Sequence, residues 1–74
     1  MNKVQVRLDT QTEVTEFVSI ANTVNDEVFL EDGTGYRVNA KSLLGVMYGI
    51  SEFKDLYVIS DCDTLINKFN KFML

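Results

Sequence analysis

The sequence predicts a small α+β fold, in which a four-stranded, mostly antiparallel sheet carries three helices on one face. Apolar residues alternate along the chain between a period of two, typical of strands, and a period near 3.6, typical of helices. Residues that favour helix starts precede each helical segment, and a Gly/Asp-rich segment separates two of the strands. The chain has 74 residues, of which 46% are hydrophobic. That is enough for one small core, so we expect a single domain over residues 1–74.

The first strand and the first helix are predicted from short periodic patterns. Polar residues alternate with Val4, Val6 and Leu8, as in a strand with one face toward solvent. Thr10, with Glu13 three residues later, matches the capping box of a helix start. Apolar residues then recur at helical spacing, so the helix should run from about residue 11 to about residue 24 and end at Asn25.

A hairpin and a second helix follow. Strands are predicted at residues 27–31 and 36–40, joined by EDGTG, whose glycines allow the positive φ of a tight turn. Ser42 should cap the second helix, which is expected to end near Gly49 or Ile50.

The last part of the chain is predicted as a strand and a helix. Residues 55–60 read DLYVIS and form the fourth strand. Ser60 or Asp61 should cap the last helix, and Asp61 and Asp63 should lie in its first turn, where the helix dipole favours acids. One apolar face of this helix is expected to contain Cys62, Leu65, Ile66, Phe69, Phe72 and Met73. The resulting order β-α-β-β-α-β-α suits an open-faced sandwich, with a ferredoxin-like split βαβ fold as its rival.

Composition and charge exclude several classes of function. The net charge is −4, so the chain lacks the basic patch that nucleic-acid binding requires. It contains no apolar run of membrane-spanning length, and its start lacks the apolar region of a signal peptide. The single cysteine, Cys62, fits a buried apolar role in a reducing compartment. We therefore expect a cytoplasmic protein with no cofactor, no metal site, no nucleic-acid ligand and no contact with a membrane.

Residues 37–50, RVNAKSLLGVMYGI, form the most specific pattern in the sequence. Together with VRLDT near the start and VFLE in the second strand, this segment resembles the HPr family, the small phosphocarriers of the bacterial sugar phosphotransferase system. It most resembles the HPr paralogue of carbon catabolite repression. The resemblance covers nearly the whole chain and implies the open-faced sandwich.

The chain departs from the HPr pattern between Thr10 and Phe17. There the family carries a glycine, an apolar residue, the phospho-accepting histidine, a small residue, an arginine and a proline. This chain has QTEVTE at residues 11–16, about three residues fewer, and contains no histidine at all. A phosphohistidine relay needs an imidazole nucleophile beside a cation and amide donors, whereas Glu13 and Glu16 would repel phosphate. We therefore expect no catalytic residue and no enzyme activity.

The resemblance implies a regulatory role for Ser42. In the family this serine is phosphorylated by a dedicated HPr serine kinase, and a phosphate at a helix start is favoured by free amides and the dipole. Arg37 and Lys41 lie close in sequence and are candidates for contact with that phosphate.

The second helix is also expected to bind a partner protein. Its apolar residues cover an arc of roughly 200°, wider than one core-facing stripe requires. The resemblance places Val46 and Ile50 inward. The partner-binding residues it implies, to which we add the neighbouring tyrosine, are Leu43, Leu44, Met47 and Tyr48. The expected partners are an HPr serine kinase or a transcriptional regulator, and the chain is expected to be a monomer or a homodimer.

Two alternatives stay open at this point. The chain could be an HPr-fold binding or structural module with no phosphorylation role, or a phosphocarrier that uses another nucleophile, such as a carboxylate. A third pattern is rejected: YVISDCDTL resembles the DxDxT signature of haloacid-dehalogenase phosphatases, but the fifth position is Leu65 rather than Thr or Val.

Overall fold

The computed structural model describes residues 1–74 and has the predicted order of elements. The elements are β1 (Asn2–Val6), α1 (Gln11–Ala21), β2 (Val28–Glu31), β3 (Arg37–Asn39), α2 (Leu43–Glu52), β4 (Leu56–Ser60), α3 (Leu65–Phe69) and a 3-10 turn (Asn70–Phe72). No helix combines the length and the apolar character needed to cross a membrane.

The four strands form one antiparallel sheet in the order β1-β4-β2-β3. This order separates the two folds that fit the sequence. A ferredoxin-like sheet places the third strand between the first two, whereas here the fourth strand occupies that position. The predicted open-faced α+β sandwich is therefore confirmed.

The core lies between the helices and one face of this sheet. Val4, Val58, Leu30 and Val38 stand side by side across the four strands and contribute to the apolar cluster beneath the helices. Three aromatic rings fill the space between α1 and the last helix. Phe17 packs with ring centroids 5.1 Å from Phe69 and 5.6 Å from Phe72, and all three are fully or almost fully buried.

The opposite face of the sheet has no helix over it and is covered by its own charged side chains. Glu31 is only 5% exposed there, and its carboxylate binds the ammonium of Lys3 at 3.2 Å and the guanidinium of Arg37 at 2.8 Å. The same two cations lie over aromatic rings, Lys3 over Tyr57 and Arg37 over Phe29. This arrangement pairs the buried charge and shields apolar rings with the stems of long side chains.

The predicted turn between β2 and β3 is confirmed. Gly33 and Gly35 have φ angles of 92° and 106°, a region that is strained for other residues. The Asp32 carboxylate accepts hydrogen bonds from the amide and the hydroxyl of Thr34, which lowers the pKa of Asp32.

Two helix ends differ from the predictions. α1 ends at Ala21 rather than near residue 24, because Asn22 turns its side-chain amide back to the carbonyls of Val18 and Lys41. Val24 is buried all the same, but outside the helix. α2 continues to Glu52, past the predicted end at residue 49 or 50, and closes with a bond from the Phe53 amide to the Gly49 carbonyl.

The predicted start of the last helix is wrong. Ser60 is the final residue of β4, where its buried hydroxyl donates to the Glu27 carbonyl and accepts from the Cys62 amide. The helix begins only at Leu65, so Asp61 and Asp63 lie before its first turn. Its predicted apolar face is correct for Leu65, Phe69 and Phe72 but wrong for Ile66, which is 54% exposed. A five-residue helix followed by a 3-10 turn does not keep one regular helical face.

Candidate functional site

Ser42 forms the junction between β3 and α2, as predicted. Its backbone is extended, with φ −101° and ψ 119°, and its hydroxyl accepts a hydrogen bond of 3.1 Å from the Gly45 amide. The Ser42 amide in turn donates to the Asn39 carbonyl. A Cβ atom on Gly45 would come within 3.1 Å of that same carbonyl oxygen. The junction is therefore tight, and the third position of α2 favours a residue without a side chain.

The two cations predicted to neighbour a phosphate on Ser42 hold other partners. Arg37 binds Glu31 on the open face of the sheet. The Lys41 ammonium donates to the Val24 carbonyl at 2.6 Å, and so ties the start of α2 to the segment after α1. The structure therefore brings neither cation into a hydrogen bond with Ser42.

The residues predicted to bind a partner are exposed on α2. We name Leu43, Leu44, Met47 and Tyr48 the α2 patch. Leu44 is 78% exposed and the other three are between 44% and 48% exposed, whereas Val46 is fully buried and Ile50 packs partly against the core. No charged residue lies between Ser42 and Ser51. Exposed apolar groups clustered in this way are typical of interaction surfaces.

Aromatic residues extend the α2 patch toward the β2–β3 hairpin. The ring of Phe53, at the end of α2, packs edge to face with Tyr36 at 5.7 Å and with Tyr48 at 6.4 Å between centroids. We name Tyr36, Tyr48 and Phe53 the tyrosine cluster. The neighbouring Tyr36 side chain raises the pKa of the Tyr48 phenol, and the Glu52 carboxylate adds to that rise.

The sequence predictions did not include Tyr36, Phe53 or Glu52 in the site. These residues come from the hairpin, the end of α2 and its last turn, so no single periodic pattern contains them. One signal was available in the sequence. Glu52 stands four residues after Tyr48 and therefore on the same helix face, near the end where an acid opposes the dipole.

A shallow groove connects α2 to the start of α1. It has a volume of about 220 Å³ and runs between Met47, Ile50 and Ser51 on one side and residues 8–11 with Val14 on the other. The α2 patch and the start of α1 therefore form one continuous surface.

The start of α1 is closed by its own side chains. The Glu13 carboxylate accepts from the amides of Asp9 and Thr10 at 2.9 and 3.0 Å, and the Thr10 hydroxyl accepts from the Glu13 amide at 3.1 Å. This confirms the predicted capping box. The two backbone hydrogen bonds lower the pKa of Glu13, which therefore stays negatively charged. The carboxylate thus occupies the amides of Asp9 and Thr10 and adds a negative charge that would repel a phosphate at this helix start.

Comparison with known proteins supports the resemblance on the level of structure. No family model matches the chain, and no curated protein matches it. Among solved structures, the chain is similar to Crh, a catabolite repression protein of Bacillus subtilis whose structure is described as a dimer with a swapping domain. The match has a TM-score of 0.58 and 29% sequence identity, and it covers 92% of this chain and 77% of that chain.

The structural match and the sequence resemblance around Ser42 point to the same fold. The four-stranded antiparallel sheet and the three helices are those predicted from it. The chain therefore has an HPr-like fold and resembles the catabolite repression protein Crh.

Proposed function

We propose that this protein is a cytoplasmic, HPr-like interaction protein that does not relay phosphate and that docks to a partner protein through the α2 patch. The observation that carries the proposal is the exposure of three apolar side chains and a tyrosine on one face of α2, within a segment, residues 43–51, that has no charged residue. The resemblance to a catabolite repression protein favours a regulatory partner, either a serine kinase of the HPr type or a transcriptional regulator.

The start of α1 supports an interaction role over a phosphocarrier role. The chain has no histidine, and the capping box places a charged carboxylate where a relay would need amides free for phosphate. A carboxylate nucleophile at this position would have to give up the two backbone bonds that hold Glu13. If the protein nevertheless relayed phosphate, phosphoenolpyruvate and the first enzyme of the phosphotransferase system would give it an acid-labile or hydroxylamine-sensitive label.

The docking proposal is tested with a pair of matched variants. Leu44→Glu puts a charge into the most exposed position of the α2 patch, and Ile66→Glu makes the same change at an exposed apolar residue of α3. We expect Leu44→Glu to weaken capture of partner proteins from the native cytosol by at least about ten-fold. Ile66→Glu should leave capture unchanged. Equal capture by wild type and Leu44→Glu would contradict the proposal.

Regulation by phosphorylation at Ser42 is a further part of the proposal. The hydroxyl caps α2, where a phosphate would be stabilised by the helix dipole and by the amides of the first turn. Incubation with an HPr serine kinase and ATP should add the mass of one phosphate to the wild type and to Ser19→Ala. Ser42→Ala should gain nothing. An unchanged wild-type mass, or an equal gain in Ser42→Ala, would contradict phosphorylation at Ser42.

A second copy of the chain is the alternative occupant of the α2 patch, since Crh is described as a dimer. Sedimentation velocity over a range of concentrations distinguishes the two cases. A dimer held by the patch would dissociate in Leu44→Glu and persist in Ile66→Glu. A monomer in all three proteins would leave the patch free for another protein.

A further inference from the structure

We propose that the tyrosine cluster binds a basic side chain of the partner, an arginine or a lysine that lies next to apolar residues. This inference rests on the proposed docking through α2 and adds a charge requirement to it. The α2 patch by itself selects only for apolar surface, whereas the cluster at its end selects for a positive charge.

The tyrosine cluster presents two exposed aromatic rings. Tyr36 and Tyr48 are 56% and 48% exposed and are held in place by edge-to-face contacts with Phe53. Exposed aromatic rings attract arginine and lysine side chains through their electron-rich faces. Tyrosine also presents a large contact area at a low cost in side-chain entropy, which suits a binding surface.

An uncompensated negative charge, that of Glu52, lies beside these rings. Glu52 lies in the last turn of α2, and that turn contains no basic residue. Glu52 forms no ion pair, and neither does the exposed Lys54 two residues further on. An acid at this end of a helix opposes the dipole and destabilises the isolated chain. A cation supplied by a partner would remove that cost.

Charge is distributed unevenly along α2. Residues 43–51 are uncharged. A partner that lies along α2 would therefore contact an apolar surface over most of the helix and a negative charge only at its C-terminal end. The hairpin adds Asp32, whose carboxylate is kept charged by its hydrogen bonds to Thr34. A partner segment that is apolar along its length and basic at one end would match both the apolar part and the negative end of α2.

Two short peptides test the charge requirement directly. N-acetyl-leucyl-arginine amide and its citrulline analogue have nearly the same shape, but only the first is charged. Titration into the 15N-labelled full chain at low salt should shift the amide signals of Tyr48, Glu52 and Phe53. We expect the arginine peptide to bind at least about five-fold more tightly than the citrulline peptide.

Matched variants locate the effect. Glu52→Gln should reduce the preference for arginine to less than about two-fold, and Tyr48→Leu, which keeps apolar area, should reduce it as well. Glu27→Gln removes one exposed acid elsewhere and should leave the preference intact. Equal binding of the two peptides, or a preference that survives Glu52→Gln, would overturn the inference.

The two proposals can fail separately. If Leu44→Glu abolishes partner capture while the two peptides bind equally, the docking proposal stands and the charge requirement is wrong. If the arginine peptide binds selectively while Leu44→Glu captures the partner normally, the cluster is a cation site but α2 is not the docking helix, and the inference in its stated form is overturned too.

Discussion

The starts of α1 and α2 have the same kind of hydroxyl cap but differ in charge. Both helices follow a strand and are capped by a hydroxyl residue, Thr10 for α1 and Ser42 for α2. In each case the hydroxyl oxygen accepts a hydrogen bond from the amide three positions later. At α1 the third helical residue is Glu13, whose carboxylate occupies further amides and adds a negative charge. At α2 that position is Gly45, and the first turn has no acid. The first helix start therefore carries a fixed negative charge, and the second carries none.

This contrast supports the proposal that the chain does not relay phosphate at α1 but can be phosphorylated at Ser42. A capping box stabilises the fold, but its carboxylate also adds a negative charge that repels phosphate. The serine cap of α2 stabilises the fold without adding a charge, so a phosphate on its own hydroxyl would meet first-turn amides and no acid.

The largest expected effect is the loss of stability when either cap is removed, and it should be larger for α1 than for α2. Thr10→Ala removes the acceptor for the Glu13 amide and loosens the carboxylate, so we expect it to lower the free energy of unfolding by about 1–2 kcal/mol. Ser42→Ala removes a single bond and should cost about 1 kcal/mol. Urea unfolding at neutral pH, followed by circular dichroism, measures both. Thr12→Ala, which removes no hydrogen-bonded side chain, is the control, and a larger loss for Ser42→Ala than for Thr10→Ala would contradict the comparison.

A smaller effect is expected when each cap is replaced by aspartate. Aspartate is itself a good cap, so Ser42→Asp should stay within about 0.5 kcal/mol of the wild type. Thr10→Asp places a second carboxylate beside Glu13, so this variant should be clearly less stable than Ser42→Asp. Added salt should narrow the difference, because it screens the repulsion. Equal stabilities of the two variants at low salt would show that the start of α1 is no more negative than that of α2.

The smallest expected effect is the pH dependence of the α1 cap. The pKa of Glu13 is lower in the folded chain than the usual value of 4.5. Its contribution to stability is therefore present above pH 4.5 and is lost as the pH falls through the folded-state pKa. We measure the free energy of unfolding at neutral pH and again below that pKa. Between these two conditions Glu13→Gln should lose less stability than the wild type. A residual loss is expected in the variant, because Asp32 also has a lowered pKa, and identical losses in both proteins would contradict the assignment.

Much of the fold could be predicted from the sequence, because its signals are local. The alternation of Val4 and Val6, the Thr10–Glu13 spacing and the two glycines of the hairpin each act within a few residues, and all three were correct. Sheet order is not local, and only the resemblance to HPr distinguished the two folds that share the order of elements.

The errors arise where tertiary contacts override local patterns. Ser60 has the sequence of a cap, but its buried hydroxyl donates to the carbonyl of Glu27, just before the neighbouring strand β2. Asn22 ends α1 early because its amide reaches across to Lys41. The tyrosine cluster could not be predicted for the same reason, since Tyr36 approaches Phe53 only after the hairpin has packed beside α2.

The ion-paired face of the sheet has a consequence for specificity. Lys3 and Arg37 neutralise Glu31 and lie over Tyr57 and Phe29, so little unshielded apolar surface remains on that side. The helix side, by contrast, exposes Leu44 and Met47. Under the docking proposal, a partner can therefore bind this chain in one orientation only, because the ion-paired face offers it little apolar surface.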